Sequence, residues 1–96
     1  MLNLETMARR ILTEANKTRR KAEQWARRAS ECHRESNAYL DCRDNATMLR
    51  KDARDLGRMA RYVALGERAK GRRLLGRLDT AVAEQLPTQV WRWVGY

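Results

Sequence analysis

From Leu4 onward an apolar or small residue returns every three or four positions: Leu4, Ala8, Ile11, Ala15, Thr18, Ala22, Trp25, Ala29, Cys32, Ser36 and Tyr39. Alternating steps of four and three hold those side chains on one stripe of an α-helix, which turns about 100° per residue. Asn3 stands where an N-cap belongs, so the pattern predicts a first helix over about 4–39. The rhythm falters around Asp41–Asn45, where Asp41, Asp44 and Asn45 offer N-caps and a tight turn is expected. A second helix is predicted over about 46–69, with Leu49, Ala53, Leu56, Ala60, Val63 and Ala64 on its apolar face. Gly66, Gly71 and Gly76 weaken the pattern after it and place a break near Gly66–Gly71. A third helix is predicted over about 72–86, carrying Leu74, Leu78, Ala81, Val82 and Gln85 on one face and closed by Pro87. Residues 87–96 form an aromatic C-terminal tail.

These elements make an all-α chain: an elongated antiparallel helical hairpin with a shorter third helix and the tail, in a single helical domain over 1–96. Composition agrees, since thirteen Ala and eleven Leu stand against one Ile, four Val and no Phe. A helix over 4–39 would be roughly 54 Å long, against about 30–35 Å for a globule of this chain length. The far end of such an arm needs a cover, which the third helix, the tail or a second subunit in a homodimer would supply.

No apolar run approaches the roughly 20 residues that a membrane span requires. Glu5 and Glu14 interrupt the first fifteen residues, which therefore lack the apolar centre of a signal peptide. A cytoplasmic, reducing setting is expected, with Cys32 and Cys42 either unpaired or joined across a turn centred near Asn37.

Charge changes the picture most. Twenty-one Lys and Arg oppose twelve Asp and Glu, leaving a net +9, and seventeen of those cations are Arg. A GC-rich genome would favour such codons, but the arrangement is not uniform. On the second helix Arg50, Arg54, Arg58, Arg61 and Arg68 fall within roughly 80° of one another. Burial of the apolar face turns this stripe outward, and if the helix continues Arg72 joins it, with Arg73 and Arg77 close by. Guanidinium forks in a row suit the phosphates of a nucleic-acid backbone or an acidic protein groove.

Catalytic chemistry is sparse by comparison. His33 is the sole histidine, and Glu31 and Glu35 stand two residues from it, a spacing at which helical side chains diverge. Cys32, His33 and Cys42 lack a fourth metal ligand and the usual short spacing. No catalytic residue, metal site or cofactor is therefore expected, and the chain reads as a binding protein rather than an enzyme. In the tail, Trp91, Trp93 and Tyr96 either pack back on the bundle or contact a partner.

Three functions fit these features. The first is a basic helical module docking on nucleic acid or a ribonucleoprotein through the Arg stripe. The second is a phage or mobile-element inhibitor of a host defence complex, anti-CRISPR-like, which acts on a nucleic-acid-handling protein complex by protein–protein contact. The third is a structural dimerising hairpin.

Overall fold

The computed structural model describes residues 3–96, so the first two residues of the expected 1–96 domain lie outside the described part. Five helices follow in order: α1 (Leu4–Glu31), α2 (Asn37–Ala64), α3 (Arg68–Leu75), α4 (Thr80–Glu84) and α5 (Thr88–Val94). α1 and α2 pack along their lengths as an antiparallel hairpin, and the molecule measures 52 × 21 × 17 Å. The expected all-α hairpin is therefore present, with different element boundaries.

The turn lies at Cys32–Ser36 rather than at Asp41–Asn45. Cys32 leaves the helix with extended backbone (φ −94°, ψ 153°), and Ser36 starts the next, its Oγ accepting from the Tyr39 N–H at 3.1 Å. Ser36 also donates through its backbone N–H to the His33 carbonyl at 2.9 Å. Ser36 and Tyr39, expected on the first helix, thus belong to the turn and to α2. The apolar rhythm misled because it does not pause: Tyr39, Cys42, Ala46, Leu49, Ala53, Leu56, Ala60 and Val63 continue the same steps of three and four from the opposite arm. Both arms are 28 residues long. The overhang that would have called for a second subunit does not arise between equal arms.

α2 ends at a Schellman turn. Gly66 adopts φ +69°, its N–H donates to the Val63 carbonyl at 3.1 Å, and the Glu67 N–H donates to the Tyr62 carbonyl at 2.8 Å. The expected helix over 72–86 is instead two short helices, because the chain breaks at Gly76–Asp79 while Gly71 lies inside α3. The tail is helical as α5 and packs back. Val90 and Val94 are buried, and the Trp91 Nε1–H donates to the Ala83 carbonyl at 3.3 Å.

The core is lopsided along the hairpin. Met7 and Ile11 of α1, Leu56, Met59 and Val63 of α2, and Leu74, Leu75, Val82, Leu86, Val90 and Val94 from the later helices and the α4–α5 link form one cluster at the base. Toward the turn the seam is made of small residues, Ala22, Ala29, Cys42 and Ala46, which bring two backbones close without a third layer. α3–α5 therefore fill one end of one flank and leave the other flank of the hairpin open.

Candidate functional site

The open flank is built from both arms. Going from base to turn, three shallow recesses succeed one another along the α1–α2 seam. The first, about 350 Å³, has an apolar floor of Ala8, Leu12, Gly57 and Ala60, with Arg9 and Arg61 at its rim. The second, about 500 Å³, is lined by Arg19 and Glu23 of α1 and by Thr47, Arg50, Ala53 and Arg54 of α2. The third, about 400 Å³, shares Arg50 and adds Arg34, Tyr39 and Arg43 near the turn. Numbers rise along α1 as they fall along α2, as an antiparallel register requires. The link between α4 and α5 lies over the other flank, where Gln85 and Pro87 share a recess with Arg10, Thr13 and Glu14.

Arg50, Arg54, Arg58 and Arg61 are all exposed on α2. Among the described residues none of the four forms an ion pair with a carboxylate. The nearest acids on the same helix are engaged elsewhere. Asp55 pairs with Lys51 at 3.7 Å, and Asp52 is buried on the side away from the stripe. Burial pushes the Asp52 carboxyl above its ordinary range, and Asp79 beside it adds to the rise through charge and hydrogen bonding. Unpaired guanidiniums keep their donors for a ligand, and a guanidinium–phosphate hydrogen bond is about twice as strong as a neutral one.

Arg68, Arg72 and Arg73 are exposed but stand on α3, beyond the reversal at Gly66, so they do not extend the α2 row. The Arg72 guanidinium lies over the Tyr96 ring, 5.5 Å from its centroid. Trp91 and Trp93, considered as partner contacts, are half-buried against the core, whereas Tyr96 is exposed and meets the Trp91 ring edge-on at 5.4 Å.

Arg19 and Thr47 enter the site without having been singled out in the sequence. Arg19 is brought beside Arg50 and Arg54 by the register between two helices, which the period of either helix alone does not encode. The available signal was weak: Arg19 follows Leu12 by seven residues on the same side of α1.

The groups weighed for chemistry do not converge. His33 sits in the turn, where its Nδ1 accepts from the Glu35 N–H at 3.3 Å. Cys32 and Cys42 are free thiols, and burial raises Cys42 above its ordinary value with Cys32 nearby reinforcing the effect. Among the described residues no group of three or more His, Cys, Asp or Glu is placed to hold a metal ion, and no helix is long and apolar enough to cross a membrane.

Comparison of the chain with protein-family models, with curated proteins and with solved structures finds no match.

Proposed function

We propose that the chain is a non-enzymatic binding protein whose open hairpin flank docks on a nucleic-acid backbone, alone or within a ribonucleoprotein. The observation that carries this reading is the exposed, unpaired row Arg50, Arg54, Arg58 and Arg61, flanked by Arg19 from the other arm. From Arg50 to Arg61 the row rises roughly 16 Å along a straight helix. Each strand of a duplex carries one phosphate per about 3.4 Å of helix axis, so several fall within reach of this row together. Thr47 adds a hydroxyl to the same recess, and the chain's +9 charge would steer a polyanion toward it.

Contacts of this kind read the backbone and carry little sequence information. Replacing Arg50, Arg54, Arg58 and Arg61 together by Ala tests the reading, with anisotropy titrations of labelled duplex and single-stranded oligonucleotides across a salt series. Four phosphate contacts correspond to a log K against log salt slope of about −3.6 for duplex and about −2.8 for a single strand. The variant is expected to lose that dependence. Unchanged binding with an unchanged slope would sink the proposal.

A second reading draws on the first recess, where Leu12 is 47 % exposed beside Ala8 and Ala60. A phosphate backbone offers nothing apolar to that floor, whereas a protein partner would. An inhibitor or adaptor that presses this flank against a nucleic-acid-handling complex fits the combination of Arg row and apolar recess. It predicts that Leu12→Asp abolishes co-elution with the partner while leaving oligonucleotide binding intact.

A further inference from the structure

The ridge of α2 has a second bank. Tyr62 stands about 100° round the helix from Arg61, away from the hairpin seam. There it joins Lys70, Arg73 and Arg77 around a shallow recess of about 520 Å³ between α2 and the α3 region. The Gly66 reversal folds α3 back along α2, and Gly71 without a side chain lets α3 sit against Met59 and Trp93. With Gly71, Leu74 and Leu75 buried, Lys70 and Arg73 occupy the adjoining flank of the short helix. Arg77 follows in the next turn, its N–H donating to the Leu74 carbonyl at 2.9 Å.

The charge there is only partly neutralised. Lys70 meets Glu67 at 3.3 Å, while Arg73 and Arg77 have no carboxylate partner among the described residues. Two guanidinium forks and an ammonium exceed what one carboxylate requires. They suit a terminal phosphate, which carries close to two negative charges and three strong acceptor oxygens. The remaining wall is aromatic, and a tyrosine ring is a stacking surface for a nucleobase. The α1–α2 recesses lack this pairing on the row itself: their one lining aromatic, Tyr39, lies at the turn end, where Arg43 already covers it at 5.9 Å.

We infer that the recess walled by Tyr62, Lys70, Arg73 and Arg77 is a separate site for a nucleoside phosphate, with Arg73 and Arg77 taking the phosphate and Tyr62 the base. The ligand is either a free nucleotide or the 5′-phosphorylated end of a polynucleotide, which present the same chemistry. The site stands independently of the α2 row.

The test is isothermal titration of the full chain at low salt with ATP and with adenosine. ATP is expected to bind saturably at one site, with adenosine weaker by about tenfold or more. Arg73→Ala combined with Arg77→Ala should remove the ATP signal while the thermal midpoint stays put, because both side chains are exposed. Absence of saturable ATP binding, equal binding of adenosine, or full binding by the double variant would each overturn the inference. The variant lacking the four α2 arginines should still bind ATP, so failure of the backbone-docking reading and failure of this one are told apart. Short oligonucleotides with a 5′-phosphate or a 5′-hydroxyl then identify the source. A phosphate preference that disappears in the double variant assigns the polynucleotide end, and equal binding of the two assigns the free nucleotide.

Discussion

Gly71 and Trp93 are in near contact: a Cβ built on Gly71 would lie 3.2 Å from the Trp93 ring and 3.7 Å from the Met59 sulfur. That approach joins α3, α5 and α2 at one point. Gly71→Leu forces the ring or the helix aside and is expected to cost about 1–3 kcal/mol. A lowered thermal midpoint, with red-shifted tryptophan emission as Trp93 becomes wetter, would report it. An unchanged midpoint would mean that α5 is not held at Gly71.

Two other glycines should respond in opposite directions. Nothing lies within 4 Å of a Cβ at Gly57, in the middle of α2, so Gly57→Ala is expected to stabilise by about 0.5–1 kcal/mol through helix propensity. Gly66 holds φ +69° in the Schellman turn, and Gly66→Ala is expected to destabilise by about 1–2 kcal/mol. Chemical denaturation of the two variants side by side checks the pair, and like signs would contradict the helix boundary at Leu65.

The position of the hairpin turn is equally open to test. Ser36→Ala removes the hydroxyl that accepts from the Tyr39 N–H and should cost about 1 kcal/mol. Asn45→Ala, in the interior of α2, should be neutral or slightly stabilising because alanine is the better helix former. The reverse ranking in urea melts would restore a turn at Asp41–Asn45.

Asp52 ties stability to pH. The residue is 8 % exposed, and burial followed by Asp79 raises the pKa of its carboxyl. The folded state then holds the proton more tightly than the unfolded chain. This contribution favours folding below the ordinary carboxylate range and is lost as pH rises through the raised value. Asp52→Asn is expected to raise the thermal midpoint at neutral pH, with a gain that shrinks as the solution is acidified. Asp79→Asn should give a smaller gain of the same sign. A constant offset at every pH would show that packing, rather than ionisation, sets the difference.

Helix content and the outward row Arg50, Arg54, Arg58 and Arg61 were readable from spacing alone, because both depend on the period of a single helix and on which stripe is apolar. A break in the Gly66–Gly71 stretch was readable too, since a glycine after a periodic run is a local signal for a helix C-cap. Where the hairpin bends was not. The two arms share one unbroken rhythm, so periodicity carried straight through the turn, and only the pairing of equal 28-residue arms selects Ser36 over Asp41, Asp44 or Asn45 as the cap.

Tertiary packing alone decided the rest. Arg19 reaches Arg50 and Arg54 because antiparallel register places it there, and the Gly66 reversal carries Arg68, Arg72 and Arg73 off the α2 row onto α3. The tail became a helix because Val90 and Val94 had a base to pack on. Local sequence specifies which faces are oily and which are charged. Which faces meet is a property of the assembled helices, since the burial that selects among pairings exists only once they are together.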